Sequence, residues 1–407
     1  MNAKSLHSTV AVNVRPVSWL AIASLTVGAF ALVTTELMPI GLLPEISHGT
    51  HVTDGQAGMM VTMTGLIAAG AAPLSVVLAG RVDRRKLLLA LLALLVASNL
   101  VVATATGLSQ LLLGRILLGA TVGGFWTIAG SLGPRLRPGP EGIRASALIL
   151  AGVSIGTVAG VPAGSLIGHL LGWRTAFATG AAIGGLAIVT LLTLLPSIPP
   201  ERGINLREIP SLLDNSRART ALIAATLVFI GQFTAYTYIA PFVDMRAGIH
   251  GQALSGLLLI SGGAGFFGNI AGGWLSSRNA TTSAATMAFV LSISMLALEI
   301  FGSSAIAAWT LATVWGLAFG MLPIAMQTWL QEFAAGHVEV MQALFVSMAQ
   351  VAIGGGALVG GLIVDHSNMN AAFLSGGGAA LVTAVMILAV STKHTTVDDY
   401  DACSATT

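Results

Sequence analysis

Residues 19–43, WLAIASLTVGAFALVTTELMPIGLL, decide how the chain is read: the run is apolar enough to cross a bilayer, yet Glu36 lies well inside it. A membrane-spanning helix needs about 20 predominantly apolar residues. A charge near its centre costs roughly 2.5–3.5 kcal/mol on insertion scales, so an acid there faces a bundle interior or a water-filled path and often relays protons. Thr34 and Thr35 before Glu36, with Pro39 after it, predict a polar, locally broken turn. Its hydroxyls can hydrogen-bond the carboxyl in either protonation state. Two roles stand open for Glu36: a proton carrier reached alternately from the two sides of a membrane, or an acid held neutral or paired for packing.

The composition agrees with the first run. Of 407 residues 55% are hydrophobic and 8% charged, against about 25% charged in soluble domains. An all-α polytopic membrane protein follows, with the lipid bilayer as its solvent. Twelve runs are long enough to span, near 18–41, 57–80, 86–106, 108–132, 145–171, 174–196, 219–243, 253–276, 281–303, 304–330, 340–365 and 370–391. An even number puts both termini on one side. Lys4, Arg15, Arg81, Arg84, Arg85, Lys86, Arg135, Arg137, Arg144, Arg202, Arg207, Arg217, Arg219, Arg278 and Lys393 fall on that side, Arg174 and Arg246 on the other, and Arg115 inside a run. Basic residues mark the cytoplasmic side, so both termini are expected in the cytoplasm, in the inner membrane of a bacterial cell. A net charge of +2, scattered over short loops, gives no footprint for nucleic acid. The single cysteine, Cys403, forms no disulfide within the chain and no cysteine metal cluster. No separate apolar core precedes Trp19, so no cleavable signal peptide is expected. A monomer without cofactor or metal is the expectation.

SIPPERGINLREIPSLLDNSR (197–217) is the one sizeable interior loop, and it reads as the joint between two halves. The predicted organisation is an N-terminal segment 1–17, a six-helix half 18–196, a central cytoplasmic loop 197–218, a second six-helix half 219–391 and a cytoplasmic tail 392–407. The halves resemble each other. Gly55-Gln56-Ala57 returns 196 residues later as Gly251-Gln252-Ala253, and GSLIGHLLGWRTAFATG (164–180) aligns with GGLIVDHSNMNAAFLSG (360–376). Gly119 and Gly123 correspond to Gly316 and Gly320. Parallel repeats of this kind imply two halves about an axis along the membrane normal, with substrate bound between them near the midplane.

Three stretches carry candidate machinery. GRVDRRKLLLALL, from Gly80, puts Arg84 and Arg85 where basic groups either latch to span ends through helix dipoles or simply anchor topology. Arg115 is the only charge in LLLGRILLGATVGGFWTIAGSL. It lies about 11 Å below the start of its descending run, and Glu36 about 8 Å below the end of its ascending one, at 1.5 Å per residue. At matching depths the guanidinium opposes the cost of desolvating the carboxylate, so that small rearrangements load or release a proton; a static ion pair is the alternative. Gly152, Gly156, Gly160 and Gly164 share one face of the fifth run, which Pro162 bends, giving close backbone approach.

These stretches resemble the major facilitator superfamily. The resemblance implies twelve helices in two pseudo-symmetric six-helix halves and transport by alternating access. Arg115 followed by Gly119 resembles the fourth-span pattern of proton-coupled members, and Gly152 to Gly164 with Pro162 resembles the motif of the exporting ones. Between the second and third spans the pattern departs: Gly80 stands at the family's usual aspartate position and Asp83 where a glycine is common. TTELMP, GWRTAF, LLPSIPPE, GQFTAYTYIAPF and WGLAFGMLPIAMQTWL are similar to the nucleoside- and sugar-exporting members of the drug:proton antiporter branch. Proton-driven export of purine ribonucleosides or analogues is what this implies, with sugar or multidrug efflux as the alternative.

For such a small-molecule substrate the candidate lining is Trp126, Gln232, Tyr236, Tyr238, Asn269, Gln327 and Trp329, with Trp315. Aromatic faces stack a flat base and amides meet its edge; the bland reading makes the same residues packing or interface anchors. Glu299 and Asp365, near outer span ends, read as interfacial. The chain has no GxxxxGK[ST], HExxH or GxSxG, which argues against an ATP-driven pump and against an enzyme. A membrane receptor or scaffold is the competing class, which demonstrable flux would exclude.

Overall fold

The computed structural model describes residues 17–79, 81–129, 132–137, 140–200, 214–334 and 338–404. Most of the 1–17 segment and of the 197–218 loop therefore lies outside the described residues. Twelve helices are long and apolar enough to cross a membrane: α1 (Trp19–Gly41), α2 (Asp54–Ser75), α3 (Arg84–Ala103), α4 (Leu108–Ala129), α5 (Arg144–Leu171), α6 (Trp173–Leu194), α7 (Ser216–Tyr236), α8 (Gly251–Ser276), α9 (Ala280–Phe301), α10 (Ala305–Gln331), α11 (Leu344–His366) and α12 (Met369–Val390). Each agrees with a predicted run to within a few residues, except at α7. The seventh run breaks at Thr237–Tyr238 and resumes as the separate helix Ile239–Ala247. A second short helix, Leu43–Thr50, follows α1.

The first run also differs from expectation. Pro39 does not break the turn around Glu36: α1 is continuous through it and ends only at Gly41. A proline lacks the N–H that would bond the carbonyl four residues back, here that of Thr35. Its effect is to free an acceptor rather than to unwind the helix.

The repeat in the sequence is a repeat in the packing. In the first half α2 packs on α4, α3 on α6 and α1 on α5; in the second α8 packs on α10, α9 on α12 and α7 on α11. Gly123 of α4 lies on the backbone of α2 at Ala68, and Gly320 of α10 lies on the backbone of α8 at Gly265. Neither position has room for a β-carbon, which fixes both pairs at close range.

Between the halves the most extensive contacts are α2 with α11 and α5 with α8. Three hydrogen bonds join the halves at the end of the bundle remote from both termini. Thr53 Oγ1 donates to Asp365 Oδ2 at 2.7 Å, the Gly55 N–H to Asp365 Oδ1 at 3.1 Å, and Ser255 Oγ to Ser165 Oγ at 3.0 Å. Asp365, read from sequence as interfacial, thus caps the N-terminus of α2 from the other half.

Candidate substrate and proton site

Arg115 is wholly buried in α4. Its Nη1 donates to the Thr35 carbonyl at 2.9 Å, the acceptor that Pro39 leaves free, and its guanidinium lies 5.1 Å from the centre of the Phe177 ring in α6. Nε and Nη2 have no hydrogen-bond partner. Charge pairing with Glu36 is electrostatic rather than by direct contact: the two act on each other, but no ion pair within 4.0 Å joins them. Matching depth along the two runs therefore identified residues that do lie together, while the guanidinium grips backbone instead of carboxylate.

Glu36 is half-buried, and Thr34 and Thr35 beside it are buried. Asn99 of α3, also fully buried, donates from Nδ2 to Thr35 Oγ1 at 3.1 Å. From the opposite half the side chain of Gln350 in α11 interacts with the Glu36 carboxyl. Leu37, next to the acid, and Ile40, one helical turn onwards, pack against the hydrophobic core of the second half. The acid therefore sits on the part of α1 that borders the second half.

The glycine face of α5 lies against this same helix. Gly152 meets Thr26, Gly156 meets Phe30 and Val33, Gly160 meets Thr34 and Gly164 meets Met38. A β-carbon on Gly160 would overlap the Thr34 hydroxyl, two residues from the acid. Residues Gly156–Gly160 form a π turn directly before Pro162, whose missing N–H spoils the regular α ladder there.

The predicted substrate residues divide into two groups. Gln232 and Tyr236 of α7 come together with α10: Trp315 Nε1 donates to Gln232 Oε1 at 2.8 Å, and the half-buried Tyr236 ring lies 5.9 Å from Trp315 and 5.0 Å from Phe319. Gln232 is fully buried and its Nε2 has no acceptor. Gln327 and Trp126 are each half-buried, Trp126 edge-on to Phe125 at 6.1 Å, and Asn269 is exposed on α8. Two further residues are fully buried. Tyr238 is sealed between the halves with its hydroxyl donating to the Ala357 carbonyl at 2.9 Å, and Trp329 is enclosed in the second half's core, edge-on to Phe333 at 5.4 Å.

The hydrogen bonds seen for Arg84 and Arg85 join parts of the first half. Asp83 caps α3, accepting from the Arg85 N–H at 2.8 Å and from the Lys86 N–H at 3.3 Å, and it also accepts from the Ser197 hydroxyl. The Arg84 N–H donates to the Ile198 carbonyl at 3.0 Å, and the Arg85 guanidinium to the Leu192 carbonyl. Partial burial works against ionisation of Asp83. The Ser197 hydroxyl and the backbone N–H groups of Lys86, Arg85 and Ile198 outweigh it and hold the carboxyl below the usual carboxylate range. The loop thus staples α3 to the end of α6.

Asn99, Phe177 and Gln350 were not singled out as site residues from the sequence. A lone amide inside LLALLVASNLVVA is a signal for Asn99; Phe177 lay within the repeat alignment, and Gln350 had no such mark.

Twelve membrane-spanning helices in two packed six-helix halves, with a half-buried acid and a buried guanidinium in one of them, define a polytopic transporter. The chain belongs to the Major Facilitator Superfamily, whose model matches residues 25–354. Curated relatives include the purine ribonucleoside efflux pump NepI of Salmonella paratyphi A, 32% identical over 91% of this chain and 94% of the relative. NepI of Escherichia coli O6:K15:H31 is 33% identical over the same shares. Solved structures with the same fold include nucleoside transporter NupG, at TM-score 0.74 and 16% identity over 92% of this chain and 99% of that one. A bacterial homolog of the human lysosomal transporter Spinster, in an inward-facing and unoccupied conformation, matches at TM-score 0.69 and 15% identity, over 92% of this chain and 95% of that one.

Proposed function

We propose that this transporter is a proton-coupled antiporter that exports purine ribonucleosides or their analogues from the cytoplasm by alternating access. The observation that carries the reading is the Glu36–Arg115 constellation in one half, set across from an aromatic and amide lining in the other. Relatives named as purine ribonucleoside efflux pumps, similar over nearly the whole chain, supply the substrate class. Tyr236, Phe319 and Gln327 offer a stacking surface and an amide edge for a purine base. The Lys/Arg distribution supports an inner-membrane orientation with both termini and the 197–218 loop in the cytoplasm. In that orientation the halves are joined at the periplasmic end, which is the state that loads substrate from the cytoplasm. The chain works as a monomer, with Glu36 carrying the proton inward and Arg115 fixing the helix that bears it.

The test is substrate-driven proton movement in proteoliposomes with radiolabelled inosine as the probe. If one proton enters as each neutral nucleoside leaves, the membrane potential contributes about 2.3 kcal/mol per 100 mV, which sustains a gradient of roughly fiftyfold. Glu36→Gln keeps size and hydrogen bonding but carries no proton, so uphill accumulation is lost. Arg115→Ala alters the pH dependence of transport. Normal proton coupling in Glu36→Gln would place the coupling acid elsewhere.

A further inference from the structure

We infer that Asn99 is a positioning residue for the proton site: it holds the side chain of Thr35 while Arg115 holds the carbonyl of the same residue, so the turn bearing Glu36 is fixed from α3 as well as from α4. The inference rests on the reading of Glu36 as the coupling acid and deepens it. Asn99 Nδ2 donates both to Thr35 Oγ1 at 3.1 Å and to the Leu95 carbonyl of its own helix at 3.1 Å. Arg115 Nη1 donates to the Thr35 carbonyl at 2.9 Å. Thr35, Asn99 and Arg115 are all buried. Thr35 precedes Glu36 in a continuous helix, so the two residues turn together. A glycine makes room for the amide: a β-carbon on Gly180 of α6 would lie 2.9 Å from Asn99 Oδ1. That Oδ1 is buried without a hydrogen-bond partner, so the fold bears a desolvation cost for this side chain.

The second half shows that the frame does not require this pair. Counting 196 residues on, Gly231 stands for Thr35, Met295 for Asn99 and Gly376 for Gly180. There α7 and α12 meet directly: a β-carbon on Gly376 would lie 2.6 Å from the Gly231 carbonyl oxygen, and Met295 is buried in the apolar core. The same level is thus closed by glycine and methionine where the next residue is the neutral Gln232, and by a hydroxyl and an amide where it is the acid. Polar groups inside a span are expensive and are kept where they serve a function. Arg115 is the one charged group in the interior of the spans packed against α1. Asp54, the basic run 84–86, Arg144, His169 and Arg174 stand in the first or last turns of α2, α3, α5 and α6, and α8 has no charged residue. Glu45, His48, Asp244 and Arg246 belong to the two short helices outside the spans. The placing of the Glu36 turn relative to Arg115 therefore sets the proton affinity of the acid, and Asn99 braces that turn from the side of α3.

The experiment reads the pH at half-maximal inosine exchange in proteoliposomes of the full chain, a midpoint that does not depend on how much of the protein is folded. Asn99→Met supplies the side chain that the second half uses. Thr35→Val removes the acceptor from the other partner with little change of shape, and it serves where the methionine variant folds poorly. Each is expected to displace the midpoint by roughly half a pH unit or more, in the same direction. The double variant should move no further than the larger single, since the two partners of one bond do not add. Thr35→Ser keeps the hydroxyl and should hold the wild-type midpoint. Protons moved per inosine are measured alongside in Glu36→Gln. A wild-type midpoint in either single variant, shifts that sum in the double, or a serine variant displaced like the valine one would overturn this inference; with Glu36→Gln uncoupled, the coupling-acid reading would still stand. A wild-type ratio in Glu36→Gln overturns both.

Discussion

The two halves share a scaffold and differ in charge at equivalent places. Counting 196 residues from the first half to the second, Glu36 becomes Gln232, Asp83 becomes Asn279 and Phe177 becomes Phe373, while His169 becomes Asp365. In the first half Phe177 lies against Arg115; in the second, Phe373 packs edge-on to Trp315 at 5.6 Å, and Trp315 bonds Gln232. A constellation of ionisable groups in one half thus has a neutral counterpart in the other, built on the same frame. Burying a charge is costly, and neutral amides with one bond unmade are cheaper. Under the function proposed above this is a division of labour: one half holds the titratable chemistry, and the other offers flat aromatic surface without a competing charge.

The comparison breaks most visibly at Gly160. A leucine there would drive Thr34, and with it the turn carrying Glu36, away from α5; overpacking of this kind costs typically about 1–3 kcal/mol. Gly160→Leu is expected to abolish inosine transport while the purified protein still elutes as a single species. Unchanged flux would show that the α1–α5 contact tolerates separation and does not set the acid's position.

Much of this frame is legible in the amino-acid sequence alone. Twelve apolar runs and the Gly-x-x-x-Gly repeats encode helix number and close pairs directly, because a membrane helix must satisfy its backbone internally and small residues mark where two backbones meet. Glu36 and Arg115 are brought together by counting rise along two oppositely directed helices. Which face an apolar residue presents is not legible. Spans are apolar toward lipid and toward protein alike, so Trp329 and Tyr238, which are sealed in packing, read the same as Tyr236, which is partly exposed. Nor does a local pattern announce that Pro39 would free the Thr35 carbonyl for Arg115, since the partner is 80 residues away.

A smaller effect sharpens the contrast from the neutral side. Trp315→Phe removes the indole N–H from Gln232, whose Nε2 is already without a partner, and leaves a buried amide unpaired at both ends. The expected cost is about 1–3 kcal/mol, read as a lowered thermal unfolding midpoint in detergent, together with weaker inosine binding. The proton-to-inosine ratio should not move. A lowered ratio in Trp315→Phe would mean that the second half takes part in coupling and that the division of labour is wrong.

The smallest effect concerns the helix caps. Asp83 caps α3 and its counterpart Asn279 caps α9, accepting from the Thr282 N–H at 2.7 Å. Loss of either cap to alanine is expected to cost about 1 kcal/mol, so at neutral pH the two variants should melt alike. Only the acid titrates. The folded Asp83 carboxyl is held below its ordinary value of 3.8, so its contribution is fully present above that value and is lost as pH falls through the lower, folded one. Asn279 has no such dependence. The gap in unfolding midpoint between wild type and Asp83→Ala should therefore narrow on acidification below about pH 4, while the gap for Asn279→Ala stays constant. Parallel behaviour of the two variants down to acid pH would mean that Asp83 acts as a neutral cap would, and the charge asymmetry between the halves would then be confined to the membrane interior around Glu36.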